Sequence, residues 1–219
     1  MAFNYWQTLK EGNFYHLYNR SINKELLFRK DSDYYLFLTR IKKYFSPYLD
    51  IYAYCLMPDH FHFLIRVKKV TESVLIQIKT EKTVAGNKLV EKEITINDFI
   101  EDQFRRLFSS YALWYNKYYK RTGSLFQKRP KRILIKSEIK LLQLICYIHH
   151  NPIHHGFAED YSQWIYSSFN AFLSDQPTAL CRNKVFEWFG LENIELGKEL
   201  FLQHHQSFKY LPSELSSLD

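Results

Sequence analysis

Residues 51–67, IYAYCLMPDHFHFLIRV, hold two runs rich in apolar and aromatic residues on either side of Met57-Pro58-Asp59. Their β-branched and aromatic content predicts a strand over Ile51–Leu56, a turn, and an antiparallel strand over His60–Val67. Successive side chains of a strand point to opposite faces, so His60, His62, Leu64 and Arg66 share one side of the second strand. Phe61, Phe63, Ile65 and Val67 share the other and form an unbroken core face. A tight hairpin in the middle of the chain, with helical patterns on both sides, points to the α+β class.

Working outward, Phe14–Arg20 (FYHLYNR) alternates bulky and polar residues and predicts a first strand. Asp31-Ser32-Asp33 supplies caps for a helix through YYLFLTRIKKYF, which Pro47 stops. Residues 69–97 are charged and β-branched, and SVLIQIKTEKTVAGNKLVEKEITI predicts two strands around Ala85-Gly86-Asn87, an inserted hairpin arm. Ile96–Lys120 predicts a long helix starting at Asn97 or Asp98. A turn over 121–124 leads into the strand-like LFQKRPKRILI. Ser137 caps a helix through SEIKLLQLICYIHH, expected to end near Asn151 because Pro152 follows. Past Gly156 an irregular link leads to a short helix around Val185–Phe189 and a last helix from Glu192. The order of elements predicts a ferredoxin-like antiparallel sheet with helices packed on one face. The expected division is a main domain over 1–156, with the arm at 69–97, and a C-terminal helical extension over 157–219.

Composition narrows the function classes. The chain has 219 residues, 46% of them hydrophobic and 18% aromatic, which suits a packed core rather than disorder. Thirty Lys and Arg against 23 acids give a net charge of +7, favouring a polyanionic partner. Cys55, Cys146 and Cys181 are odd in number and far apart, as expected of a reduced, cytoplasmic protein without a cysteine metal site. The opening MAFNYWQTLKEGNFYH lacks an apolar signal core, and no run approaches the roughly 18 apolar residues of a membrane helix.

Two imidazoles side by side on a strand suit one divalent metal ion; exposed strand histidines of no special role give the same pattern. A second cluster, Cys146-Tyr147-Ile148-His149-His150-Asn151-Pro152-Ile153-His154-His155-Gly156, puts Tyr147 and Asn151 four apart on one helix face. A phenol and a carboxamide there would give a nucleophile and an oxygen ligand. A half-buried tyrosine with a helix-capping asparagine reads the same way. Histidines 149, 150, 154 and 155 suit proton relays, phosphate contacts or a solvated loop. From Lys117 to Lys136 there are Lys117, Lys120, Arg121, Lys128, Arg129, Lys131, Arg132 and Lys136 and no acid, with Tyr118, Tyr119 and Phe126 among them. Charge for phosphates and rings for unstacked bases is a composition single-strand binders use; a solvated basic face has it too.

Several ordered motifs decide among these. HLYNR, the HFH strand preceded by MPD, RTGSLFQKRPKR, YIHHNPIHHG and WIYSSFNAFL together resemble the HUH-class single-strand DNA transposases (His, hydrophobic residue, His). The resemblance is to their one-tyrosine branch, the REP-associated tyrosine transposases. It covers most of the chain except residues 69–97. It implies His60 and His62 as metal ligands for Mg²⁺ or Mn²⁺ and Tyr147 as the nucleophile. Asn151 stands where a related branch carries a glutamine ligand and is one methylene shorter. The implied substrate is hairpin-forming single-stranded DNA, bound by a monomer or homodimer; Lys120, Arg121, Lys128, Arg129, Lys131 and Arg132 of the basic run are the expected contacts, with Arg20 and Arg66 as further candidates. A free phenol, with a pKa of about 10, is only about one part in a thousand ionised at neutral pH, so a cation that neutralises phosphate charge makes chemical sense. Three rivals remain: a nucleic-acid-binding module without catalysis, a zinc hydrolase using the histidines alone, and a domesticated descendant with a housekeeping role.

Overall fold

The computed structural model describes residues 5–208. Its centre is a four-stranded antiparallel sheet of β1 (Phe14–Arg20), β2 (Leu49–Leu56), β3 (His60–Val67) and β4 (Lys131–Ile135), in the order β2-β3-β1-β4. With α1 (Asp31–Phe45) between β1 and β2, and α4 (Ile96–Tyr118) between β3 and β4, this is the ferredoxin-like arrangement. β1 is central, bonded to β3 on one side and β4 on the other.

Helices cover both faces of the sheet, not one. On the first face Phe61, Phe63, Ile65 and Val67 join Phe37 and Ile41 of α1 and Phe99, Phe104, Leu107 and Tyr111 of α4 in one apolar core. The opposite face carries Leu64, Tyr18, Tyr52 and Ala53 and is covered by α5 (Glu138–His154) through Leu141, Leu144, Ile145 and Ile148. The extension completes that second core: Phe169 and Phe172 of α6 (Phe169–Leu173), Val185, Phe186 and Phe189 of α7 (Arg182–Phe189) and Phe201 of α8 (Ile194–Ser207). The last eleven residues of the expected extension lie outside the described residues.

The extension also lies along β2. Leu56 N–H donates to Tyr166 O (3.0 Å), Ser168 N–H to Tyr54 O (2.9 Å) and Cys181 N–H to Ile51 O (3.0 Å). On the opposite flank Trp6 bridges Arg132 of β4 and Tyr5 O accepts from Arg132 N–H at 2.7 Å.

Three expectations are corrected. Residues 69–97 are helical rather than a β-hairpin: α2 (Glu72–Thr80) and α3 (Val84–Val90) precede α4. Thr71, Thr83 and Thr95, which look β-branched in a strand reading, are the three N-caps, each side chain accepting from a first-turn N–H. Of the strand-like 125–135, only Lys131–Ile135 is a strand; Phe126 makes a single bridge to Ser21. Finally, α5 runs through Pro152 to His154, because its stop is Gly156. Gly156 takes a φ of +71°, and the bonds Phe157 N–H to Pro152 O (2.8 Å) and Gly156 N–H to Ile153 O (3.1 Å) close a Schellman motif. Among the described residues no helix is long and apolar enough to cross a membrane.

Candidate active site

The register of β1 against β3 sets Tyr18 opposite His62 and Arg20 opposite His60, with His16 one pair farther along. These five side chains point to the sheet face that α5 covers. His60 and His62 rings lie 5.1 Å apart with planes at 89°. The Tyr147 ring stands edge-on to both His62 (5.6 Å, 81°) and His16 (5.8 Å, 88°). So the phenol-bearing helix and the H-x-H strand meet within one chain, with Tyr147 1% exposed. One turn later Asn151 is buried, its Nδ2 donating to Tyr147 O at 2.9 Å.

Each histidine of the pair has its own partner. His60 Nδ1 donates to Asp59 Oδ1 at 2.6 Å, a bond that holds the Asp59 carboxyl below its usual range. His62 Nδ1 lies 3.0 Å from Nε2 of His16. Burial pushes His16 down to about 3; it also keeps His62 well below the usual imidazole value, helped by His60, His16, His155 and Arg20. Both are neutral near pH 7.

Beside the pair is a small cavity of about 30 Å³, lined by Tyr18, Asn19, Arg20, His60, His62, Gln127, Lys131 and His155. Arg20 and Lys131 therefore stand at the site. His155, just past the end of α5, brings its ring to 5.2 Å from His60. Lys120, Lys128 and Arg129 are exposed, the last two on a groove between α4 and residues 124–130. Arg66 lies six residues from His60 along β3, about 20 Å away at strand rise, over Phe14 and beside Tyr52 and Trp188.

Arg121 and Arg132, both expected as DNA contacts, are engaged within the fold. Arg121 donates to both carboxylate oxygens of Glu25, to Asn116 and to the carbonyls of Gly123 and Ser124, which uses all five of its N–H groups. Arg132 is buried, bonded to Gln7 O and paired with Glu101. Arg121 spends all its donors within the fold, and Arg132 spends Nε and one end of its guanidinium there.

Whether these residues suit a metal ion is decided by their spare lone pairs. His60 and His62 each have Nδ1 engaged, leaving Nε2, and a second group fixing the ring is the usual support of a metal-bound histidine. His62 Nε2 and Asn151 Oδ1 are both buried without a hydrogen-bond partner. Among the described residues no group of three His, Cys, Asp or Glu could hold an ion. The donor set thus fits a hard divalent cation that takes its other ligands from amide, water or phosphate oxygen, and not a zinc site built from protein side chains alone.

Two features escape a reading of the sequence. His16 joins the site through strand register, for which only the alternation of FYHLYNR gives a hint. His149, expected in a proton relay, a phosphate contact or a solvated loop, is buried on α5 and faces the extension. Its Nδ1 meets His205 Nε2 at 2.8 Å and its Nε2 meets Ser168 Oγ at 2.7 Å, while His205 Nδ1 donates to Phe201 O at 2.7 Å. A carbonyl only accepts, so in the neutral rings His205 donates to Phe201 and His149 to His205, and Ser168 Oγ, between His149 Nε2 and the Tyr54 carbonyl at 3.2 Å, has one proton for the two.

No family model matches the chain. It is 29% identical over 121 residues to a Haemophilus influenzae protein that carries the name REP-associated tyrosine transposase, a match covering 54% of this chain and 57% of that one. The chain therefore spans just over half the length of that curated relative. In fold it is similar to the solved structure of a REP-associated tyrosine transposase bound to a REP hairpin, with a TM-score of 0.56 and 17% identity over 81% of this chain and 89% of that one.

Proposed function

We propose that the chain is a REP-associated tyrosine transposase, an enzyme that cuts and rejoins single-stranded, hairpin-bearing DNA with Tyr147 as nucleophile. One observation carries this reading. The Tyr147 ring lies 5.6 Å from that of His62 in the same chain, and His62 lines a cavity bordered by Arg20 and Lys131. The name of the relative and the hairpin in the similar structure support the substrate class.

In this mechanism Arg20 and Lys131 bind the scissile phosphate by charge. Tyr147 Oη forms a bond to phosphorus as the P–O3′ bond breaks, giving its proton to water. The bonding electron pair leaves on the 3′ oxygen, which takes up a proton and departs as a hydroxyl. A 5′-phosphotyrosine remains and retains the energy to rejoin another 3′ end. Mg²⁺ or Mn²⁺ bound by His60 and His62, with Asn151 as amide ligand, would neutralise the non-bridging oxygens.

A second reading, a hairpin-binding protein that does not cut, is favoured by the depth of Tyr147, 1% exposed in the DNA-free chain. One experiment separates the two. Protein with Mg²⁺ or Mn²⁺ and an end-labelled hairpin bearing single-stranded flanks is expected to give a covalent adduct on a denaturing gel. Tyr147→Phe is expected to abolish the adduct and keep hairpin affinity within about threefold. An adduct from the variant rules out this nucleophile. Binding without an adduct from the wild type, unchanged by chelator, favours the second reading.

A further inference from the structure

The two histidines of the H-x-H pair are not oriented in the same way. His60 has a carboxylate partner, and a carboxylate can only accept, so Nδ1 carries a proton and, in the neutral ring, Nε2 is the lone-pair nitrogen. His62 has a neutral imidazole partner, which can give or take. The tautomer of His62 therefore rests on His16.

The His16–His62 contact is a hydrogen bond in the plane of both rings, not a stack. The planes differ by 18°, and the centroids are 5.1 Å apart, about the 3.0 Å N···N contact plus one ring radius at each end. His16 is 0% exposed and packed against Tyr18 at 4.8 Å and, at right angles, against Tyr147 at 5.8 Å. It cannot turn away without opening the core. Of the two proton arrangements, one leaves His62 presenting N–H to the cavity and the other a lone pair. Arg20 and Lys131 line that cavity, and their field favours the acceptor end of the imidazole dipole.

We propose that His16 is a positioning residue that accepts the Nδ1 proton of His62 and so leaves His62 Nε2 as a lone pair directed at the cavity. This assignment deepens the metal-ligand role given to His62 above and rests on that reading for its purpose. Its geometry does not depend on it. His16 itself is not a ligand in this scheme, because its Nε2 accepts from His62 and its Nδ1, which then carries the proton of the neutral ring, is buried without a hydrogen-bond partner. The arrangement completes a set in which each ligand ring is held from behind, one by a carboxylate and one by an imidazole.

Histidine 15N–1H correlation spectra of the metal-free protein read the tautomer directly. His62 is expected as the Nδ1–H form in the wild type and as a mixture or the Nε2–H form in His16→Phe, which keeps the ring but has no acceptor. Calorimetric titration with Mn²⁺ is expected to lose 10- to 100-fold in affinity in His16→Phe. His16→Gln, whose amide oxygen can accept at the same place, is expected to stay within about threefold. Hairpin binding in chelator should be unchanged in both. If His16→Phe does not fold, the wild-type spectrum and His16→Gln still decide. An Nε2–H His62 in the wild type overturns the assignment whatever the metal result. A correct tautomer in a wild type that binds no Mn²⁺ supports it and overturns the metal reading of the site instead.

Discussion

At the scale of single residues, charge and availability part company. Sequence reading groups Arg20, Lys131 and Arg121 as DNA contacts, yet only the first two line the cavity, while Arg121 closes a pairing with Glu25, 96 residues away in the chain. Arg20→Ala and Lys131→Ala are expected to weaken hairpin binding and each to flatten its salt dependence by about one unit of slope. Arg121→Ala is expected to leave the affinity of folded protein unchanged and to cost roughly 1–3 kcal/mol of stability, measured by denaturant titration. Equal losses of binding in all three would put Arg121 back on the DNA surface. Local spacing puts His60 and His62 on one strand face and Tyr147 and Asn151 on one helix face, two apart and four apart, but their expected roles come from the resemblance and not from the spacing. His16 and His155 are not legible even to that extent. Their places depend on strand pairing and on how a helix ends, and neither has a local signature.

At the scale of elements, the strands and helices with a clear apolar period follow their sequence patterns closely, and the insert at 69–97 does not. Its Thr, Val and Ile residues suggest strands by composition, but Thr at a cap obeys a different rule from Thr in a strand. Gly86 misleads in the same way. It sits inside α3, where an added Cβ would stand 2.8 Å from Thr83 Oγ1 and 3.2 Å from Ile78 O, so its smallness lets α2 and α3 approach. Gly86→Val is expected to separate the two helices and lower the thermal midpoint, with hydrogen exchange rising over 72–90 before the sheet. Protection unchanged across that stretch would deny the close approach. Pro152 shows the converse error, since near a helix C-terminus its missing N–H forfeits only one bond.

At the scale of the whole molecule, the buried histidines couple stability to pH. His16 and His205 are held down to about 3 and about 4 by burial, and His62 and His149 are lowered for the same first cause. Below the ordinary histidine value of about 6.5 the unfolded chain takes up protons that the folded chain refuses. The unfolded state then binds more protons, so stability falls as pH drops from about 6.5 towards 4 and is level above that window. His205 alone accounts for up to about 3 kcal/mol on this basis. Thermal unfolding at pH 7.5, 6.5, 5.5 and 4.5 is the check, and a midpoint that does not move would contradict a neutral His149–His205 pair. Because that pair joins α5 to α8, its loss at low pH should release the tyrosine helix and the extension together.

Both flanks of the sheet are occupied from within, β2 by the backbone of Tyr166, Ser168 and Cys181 and β4 by the segment at Tyr5 and Trp6. An open β-edge is where a second polypeptide most readily adds a strand. A second copy adding a strand at either flank would first have to displace these segments.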